Sequence, residues 1–235
     1  GNTLSGTYRG IDVNGPSDLI SQNTITSTAD WAVYTIGTSG QVERNIIVAS
    51  SGIYSNGSGN QVYRNKVQVT GTYGVYLETS GSGNKVSNNM IYHTGADTTS
   101  VQGIRINSGG GNEVYYNSIY MQCTDTVGNN DGDGTNYAIY FNNATGLTTI
   151  KNNVLSGYQN GTDTSLDNAT VYLLCINAGV AGVNYVSDYN DFHRRLVDSG
   201  DVNTGYSSAL ARQLLSDWQA ATSQDANSLQ VNPLF

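Results

Sequence analysis

Asn129, Asp131 and Asp133 carry side-chain oxygens at alternate positions of one segment, and Gly134 follows them. This spacing matches the first half of a calcium-binding loop, in which alternate side chains point to one centre and a glycine permits the sharp turn. The glutamate that completes such a loop is replaced by Tyr140. The segment therefore predicts either a calcium site or an ordinary Asp/Gly turn, and calcium is the one cofactor that any motif suggests.

Tyrosines recur in a four-residue pattern that consists of a small residue, an apolar residue, an outward residue and a second inward residue. Successive copies of this pattern place at the outward position Asp12, Tyr34, Tyr54, Tyr76, Arg105 and Tyr140. Tyrosines stacked about 4.8 Å apart can stabilise the surface of a sheet through their mutual contacts. They can also form a platform for sugar rings, with the flanking Asn107 and Asn142 bonding to sugar hydroxyls. Both interpretations stay open on the sequence.

Seven asparagines share a short frame, with an apolar residue three places before and another two places after. They are Asn23, Asn45, Asn65, Asn89, Asn117, Asn153 and Asn190, the last in a degenerate copy of the frame. An asparagine tolerates a left-handed bend, and its amide both donates and accepts, so stacked copies can bond one another along an axis. The frame therefore predicts a repeat whose units bury their apolar sides against their neighbours.

The spacing of these asparagines grows along the chain, from 22 and 20 residues at the start to 36 and 37 at the end. The count from each outward strand to the next asparagine stays nearly constant, so the insertions fall in the other half of each unit. Alternation of apolar and polar residues within each short segment predicts strands with one inward side. The insertions are expected to form loops beside the tyrosines, at residues 92–102, 122–136 and 156–170.

This pattern resembles the right-handed parallel β-helix of pectate-lyase-like proteins, over most of residues 1–192. The resemblance implies an all-β solenoid of about seven coils. It also implies that any substrate groove lies along the strand that carries the tyrosines. Residues 1–192 are expected to form the repeats, as one continuous solenoid.

A C-terminal capping segment is expected over residues 193–235, because a solenoid otherwise exposes the apolar cross-section of its last coil. Ser207 is expected to cap a helix carrying Leu210, Leu214 and Trp218 at helical spacing. The tail resembles one that follows β-helix repeats in many secreted bacterial surface proteins. The first residues show no comparable cap, which suggests a preceding segment or self-association at that end.

Few residues have the types that catalysis by this class would need. A lyase needs a basic residue near calcium-bound carboxylates, and a hydrolase needs convergent acids. Arg105 and Glu78 are the candidates on the expected groove, although a simple surface ion pair between them is the preferred interpretation. His93 is expected to face solvent in a loop. An enzyme therefore remains an alternative to a non-catalytic protein.

Composition narrows the range of partners. Only 12% of the residues are charged, 10 are Lys or Arg, and the formal net charge is −8. Nucleic acid is an unsuitable partner because phosphate binding needs clustered cations. No apolar run reaches the roughly 20 residues that span a bilayer. Cys123 and Cys175 could form a disulfide, but two inert buried thiols are the preferred interpretation.

These observations favour a secreted or cell-surface β-helix that acts as a structural or adhesive module and binds a polysaccharide or cell-surface glycan on its tyrosines. One alternative is a polysaccharide lyase or glycoside hydrolase. Another is a subunit of an extracellular fibre or a tailspike-like assembly.

Overall fold

The computed structural model describes residues 1–6, 8–26, 29–78, 81–94, 100–107, 109–124, 135–142, 146–160, 170–177, 185–195, 201–207 and 210–233. Most of these residues lie in strands that repeat in a fixed order. The strands of the first half are β1 (Thr3–Ser5), β2 (Ile11–Val13), β3 (Leu19–Ser21), β4 (Thr24–Thr26), β5 (Trp31–Ile36), β6 (Gln41–Glu43), β7 (Ile46–Asn56), β8 (Gln61–Tyr63), β9 (Lys66–Leu77), β10 (Lys85–Ser87) and β11 (Met90–His93).

The second half continues the same order and ends in one helix. Its elements are β12 (Gln102–Ile106), β13 (Glu113–Tyr115), β14 (Ser118–Thr124), β15 (Asn136–Phe141), β16 (Thr148–Lys151), β17 (Val154–Asn160), β18 (Thr170–Ile176), β19 (Tyr185–Asp188), β20 (Asp191–Arg195), β21 (Asp201–Ser207), β22 (Leu210–Arg212) and α1 (Leu215–Thr222).

The coils place their strands on three faces. The first face consists of β2, β5, β12, β15, β18 and β21 with the C-terminal halves of β7 and β9. The second face is the 7-stranded sheet of β3, β6, β8, β10, β13, β16 and β19. The third face consists of β1, β4, β11, β14, β17 and β20 with the N-terminal halves of β7 and β9. Strands stack in parallel on every face, so the chain is the predicted all-β parallel helix, and β21 adds to the first face beyond residue 192.

Apolar side chains at matching positions of successive coils form the core. One column on the third face runs through Ile25, Ile47, Val67, Ile91, Ile119, Leu155 and Phe192. All of them are buried, and they include the apolar residues that follow the repeated asparagines by two places. The frame read from the sequence therefore marks the inward side of the strands, as expected for alternating side chains.

The repeated asparagines form the predicted ladder at the bend between the second and third faces. Each of the first six donates its side-chain N–H to the Oδ1 atom of the next, as Asn65 does to Asn89 at 3.0 Å and Asn89 to Asn117 at 2.9 Å. The same amide also donates to a carbonyl of the preceding coil, as Asn89 does to Val62 at 2.9 Å. The ladder begins one coil earlier than predicted, because Asn2 donates to Asn23 Oδ1.

The left-handed bend lies one residue before each ladder asparagine, and the reason given above for asparagine is wrong in this respect. Arg64 has φ of 58° and Asn88 has φ of 56°, whereas the ladder asparagines do not have positive φ. Asparagine is therefore needed at its position for its two-way hydrogen bonding and for burial without an unsatisfied amide.

The C-terminal cap contains a helix, but its position differs from the prediction. Ser207 lies in β21 rather than at a helix N-terminus, and Leu210 lies in β22, which pairs antiparallel with β21. The helix begins only at Leu215. Leu210, Leu214 and Trp218 have helical spacing, but they do not share one helix. The backbone around Leu210 pairs with the edge of β21, which satisfies its hydrogen bonds better than an isolated helical turn would.

Trp218 closes the core at this end. Its ring is fully buried against Gly205, where an added Cβ would lie 2.2 Å from Trp218 Cε3. Gly205 is the last member of an inward column that includes Leu174, so the indole occupies the space that the next apolar side chain would fill. Cys123 and Cys175 are both buried thiols that form no disulfide with each other. Among the described residues, no helix has the length and apolar character needed to cross a membrane.

Candidate binding face

The first face carries the predicted outward row in register. Strand pairing joins in order Asp12, Tyr34, Tyr54, Tyr76, Arg105 and Tyr140. The row then continues to Cys175 and Tyr206 on β18 and β21. Its tyrosines are half-buried, since each packs against neighbours on the same face. The structure therefore assembles the tyrosines into one continuous surface.

A second aromatic row, which sequence reasoning missed, runs beside the first. Its register positions are Trp31, Ser51, Tyr73, Gln102, Tyr137, Tyr172 and Asn203. Each of these residues lies three places before a member of the outward row, so the signal was present in the sequence. It was obscured because only four of the positions are aromatic and no apolar frame marks them.

The rings of the two rows contact one another closely. Tyr34 and Tyr54 are stacked, with ring centroids 4.5 Å apart and planes inclined by 5°. Trp31 reaches across Ser51 to stack on Tyr73 at 5.5 Å and 10°. Tyr73 in turn packs on Tyr76 at 5.2 Å. Stacked aromatic pairs contribute roughly 0.5 to 1.5 kcal/mol beyond their burial, so these contacts fix the orientation of the rings.

Arg105 lies between two aromatic groups. Its guanidinium carbon is 5.6 Å from the ring centroid of Tyr73, 5.1 Å from that of Tyr76 and 5.5 Å from that of Tyr140. Nη1 donates to Tyr73 Oη at 3.2 Å. These distances are typical of cation–π contacts, which a planar guanidinium makes well. Arg105 thus joins the aromatic residues of the early coils to those of the later ones.

Arg105 and Glu78, which were expected to form a surface ion pair, are joined through the amide of Asn107. Arg105 Nη2 donates to Asn107 Oδ1 at 3.4 Å, and Asn107 Nδ2 donates to Glu78 Oε1 at 3.0 Å. The row of hydrogen bonds continues just beyond the ends of the next two strands of this face, where Asn142 donates to Asn107 at 2.6 Å and Asn177 donates to Asn142 at 2.7 Å. Asn107 and Asn142 are therefore already engaged with each other, as a short ladder that borders the aromatic rows.

Two buried polar atoms at the centre of this face have no hydrogen-bond partner within the described residues. They are Gln102 Oε1, an acceptor, and Arg105 Nε, a donor. Both belong to β12, which lies between the aromatic residues of β9 and those of β15. A buried polar group without a partner is uncommon in a folded protein, and its pairing with a ligand is one explanation.

Burial raises the pKa of Tyr54, Tyr76, Tyr137 and Tyr140 on this face. The pKa of Tyr54 is raised to about 12, chiefly by burial and then by the charge of Glu78. The pKa values of Tyr76 and Tyr137 are raised further, in both cases chiefly by burial. These hydroxyls consequently stay neutral throughout the physiological range, and they can both donate and accept hydrogen bonds.

Two further predictions concern residues outside the aromatic rows. The calcium candidates Asn129, Asp131 and Asp133 lie outside the described residues, so that site stays a prediction. His93, expected in a solvent-facing loop, is 3% exposed in β11, and its Nδ1 lies 2.8 Å from Val69 O. Its place in the inward column next to Val69 explains the burial. The described part of the chain contains no group of three or more His, Cys, Asp or Glu side chains suited to a metal.

Comparison with known proteins agrees with this architecture. A family model described as "Right handed beta helix region" matches residues 1–154. Neither the curated proteins nor the solved structures give a match.

Proposed function

The chain belongs to the right-handed β-helix family, and we propose that it is a secreted or cell-surface structural and adhesive module whose first face binds a glycan. The observation that carries the proposal is the pair of aromatic rows, in which Gln102 and Arg105 have polar atoms without a hydrogen-bond partner among the described residues. Sugar rings present apolar C–H surfaces for the aromatic rings and hydroxyls for the polar atoms.

The chemistry of the two polar atoms favours a glycan over a purely apolar partner. Gln102 Oε1 requires a donor and Arg105 Nε requires an acceptor. A sugar hydroxyl serves both roles, since it has one donor and two acceptor positions. An apolar partner would leave both atoms buried and unpaired, at a cost of about 1 to 3 kcal/mol each.

The contacts within the face also favour binding. Trp31, Tyr54, Tyr73 and Tyr76 are held by one another, so few rotamers are lost when a ligand contacts them. Immobilising a flexible side chain at an interface costs about 0.5 to 1.5 kcal/mol, and a pre-ordered ring avoids most of that loss. The asparagine ladder at the bend between the second and third faces holds the coils, and hence the aromatic rows, in register.

The double variant Trp31→Ala plus Tyr73→Ala tests the proposal, with a glycan array used to find a ligand. Each ring is expected to contribute up to about tenfold in affinity, from the usual strength of an aromatic contact. The matched control is Tyr115→Ala on the second face, which removes a half-buried tyrosine that lies next to a lysine. Circular dichroism confirms that each variant is folded.

Binding that the double variant loses and Tyr115→Ala retains supports the proposal. Equal binding by the double variant and the native chain overturns it and leaves the aromatic rows with a structural role alone. An array without any signal also counts against it.

A polysaccharide lyase or hydrolase that uses Arg105 and Glu78 is the competing proposal. The amide of Asn107 joins these residues, and Arg105 Nε has no hydrogen-bond partner among the described residues, which is the observation in its favour. Release of unsaturated products from uronate polymers, abolished by Arg105→Ala, would establish it in place of the adhesive role.

Two further proposals concern partners. Another copy of the chain, as in a fibre or tailspike-like assembly, or a preceding segment could stack on the first coil. Light scattering at several protein concentrations tests the stacking of copies.

Calcium bound by the segment of Asn129, Asp131 and Asp133 would stabilise the native state, so adding EDTA should lower the Tm. An unchanged Tm removes calcium from the proposal.

A further inference from the structure

An apolar groove of about 430 Å³ crosses the third face at β11 and β14. It is lined by Met90, Ile91, Tyr92, Ser118, Ile119 and Tyr120. Ile91 and Ile119 point into the core and are buried, so the walls are the outward side chains of the other four residues. This volume lies within the usual range of small-molecule sites, about 300 to 1,000 Å³.

The groove exists because a small residue interrupts a column of larger ones. Met90 pairs with Ser118, and Ser118 pairs with Val154, so the serine leaves a depression between two apolar side chains. Tyr92 and Tyr120 are adjacent in the neighbouring column and form the side wall. Met90 is 52% exposed, although a long apolar side chain at a strand position usually finds cover.

A cation lies at the N-terminal rim of the groove. Lys66 pairs in register with Met90, and its Nζ atom is 5.7 Å from the ring centroid of Tyr92. The ion pairs among the described residues do not include Lys66. Its charge is therefore available to a ligand that enters the groove beside it.

The opposite rim is polar and charged, since Asp191 follows Val154 in register and the guanidinium carbon of Arg195 lies 4.7 Å from the ring centroid of Tyr158. Ser156 follows Tyr120 in register, and its Oγ atom is 3.0 Å from His193 Nδ1. Burial lowers the pKa of His193 below its ordinary value. Two strand spacings separate β9, which carries Lys66, from β14, and three separate it from β17, which carries Ser156. The apolar part of the groove is therefore about 10 to 14 Å long.

We propose that this groove binds a small aromatic anion, with a body of two or three rings along Met90, Tyr92 and Tyr120 and a carboxylate or sulfonate near Lys66. Tyrosine rings and a methionine sulfur both favour contact with aromatic rings. Lys66 lies directly beside Met90 and Tyr92, whereas the opposite rim carries both Asp191 and Arg195, so the anionic group of the ligand is expected at the Lys66 end. This site lies on a different face from the aromatic rows and is independent of glycan binding.

The probe for this site is 8-anilinonaphthalene-1-sulfonate, titrated into the full chain and followed by its fluorescence. Saturable binding at one site is expected. Ser118→Leu fills the depression and should abolish it. Lys66→Gln should weaken binding about three- to tenfold at low salt, and the difference should shrink in about 1 M salt because the contact is exposed to solvent.

Three controls locate the site and separate it from other effects. Lys85→Gln changes a lysine that lies 5.6 Å from the Tyr115 ring centroid on the second face, and it should leave binding unchanged. The uncharged N-phenyl-1-naphthylamine should bind with equal affinity to the native chain and to Lys66→Gln. The variant Trp31→Ala plus Tyr73→Ala should bind the sulfonate normally, which distinguishes this site from the proposed glycan face.

The proposal is overturned if the folded chain shows no saturable binding, or if Ser118→Leu binds as well as the native chain. If the native chain and Lys66→Gln bind the sulfonate with equal affinity at low salt, the ligand is not selected for its negative charge, and the choice of an anion is overturned. Circular dichroism and the Tm of each variant exclude the dye binding that follows partial unfolding.

Discussion

Asn190 donates its Nδ2 hydrogen to Asp225 Oδ1 at 3.0 Å, and this carboxylate ends the asparagine ladder. The same buried carboxylate accepts from Ser187 Oγ at 2.9 Å, from Ser228 Oγ at 2.7 Å and from Trp218 Nε1 at 2.8 Å. An asparagine at this place would offer a donor to the next coil, whereas an ionised carboxylate only accepts. Asp225 therefore stops the repeat and fastens the cap in one contact.

Replacing Asp225 by alanine should destabilise the cap. The change leaves the buried donors of Asn190 and Trp218 without their acceptor, and hydrogen bonds to charged groups contribute about 1.5 to 3 kcal/mol each. We expect a loss of at least about 3 kcal/mol in the free energy of unfolding, measured by urea denaturation. Asp217→Asn, on the exposed side of α1, should change the free energy of unfolding by less than about 0.5 kcal/mol. Equal effects of the two variants would show that Asp225 does not secure the cap.

The middle of the ladder should be equally sensitive. Asn89→Ala removes donors to Asn117 and Val62 and an acceptor for Asn65, all of them buried. A loss of about 2 to 4 kcal/mol is expected, because several buried polar groups lose their partners together. Gln61→Ala, which shortens an exposed amide in β8, provides the comparison and should be close to neutral. A small effect of Asn89→Ala would mean that the ladder can reorganise around a gap.

A glycine at the left-handed bend should relieve backbone strain and so stabilise the chain. Arg64 has φ of 58° at an exposed position before Asn65. A non-glycine residue in this region costs about 1 to 2 kcal/mol, and glycine loses about 0.5 to 1 kcal/mol through its flexible unfolded state. Arg64→Gly should therefore raise the Tm, while Gln61→Gly in the neighbouring strand should lower it. A lower Tm for both would show that flexibility of the unfolded chain outweighs the strain.

His193 should make stability fall in mild acid. Burial lowers its pKa below the ordinary value of 6.5, so the native state favours the neutral ring. The stabilisation that this gives is fully present above the pKa of His193 in the unfolded state. It is lost as the pH falls from that value towards the lower pKa of the folded state. Between pH 7.5 and pH 5, the Tm of the native chain should fall further than that of His193→Asn. Parallel curves for the two proteins would contradict this assignment.

The buried thiols should be unreactive in the folded chain. Burial raises the pKa of Cys175 to about 12, which leaves almost no reactive thiolate at neutral pH. Labelling with a thiol reagent should be negligible under native conditions and should report two thiols after denaturation. Only one reactive thiol, or none, after denaturation would contradict the structure and revive the disulfide.

Much of the fold could be predicted from short-range patterns. The frame around Asn65 marks both the inward side of β9 and the partner of its ladder bond, because strand alternation and register are local properties. The helix was misplaced for the converse reason. The spacing of Leu210 and Leu214 suits a helix, but β22 forms because β21 presents an open edge, and no local pattern reports that edge.

The candidate site shows the same division. Tyr76 and Arg105 were placed on one row by their shared frame, and the register agrees. Trp31 and Tyr73 were missed, because their contact crosses two coils over Ser51. Their proximity depends on which side chain lies between them, and the frame does not record it.

The sequence by itself determined the coil, its inward side and its ladder, since these follow from a repeated pattern that any single unit displays. Only the tertiary structure decided which residues meet on each surface. Within the described residues, Gln102 and Arg105 have atoms without a hydrogen-bond partner, and Ser118 opens a groove beside Lys66. Both features depend on the side chains stacked one coil above and one coil below. Such surfaces arise from neighbours about 20 to 37 residues apart in the chain, and packing rather than periodicity determines them.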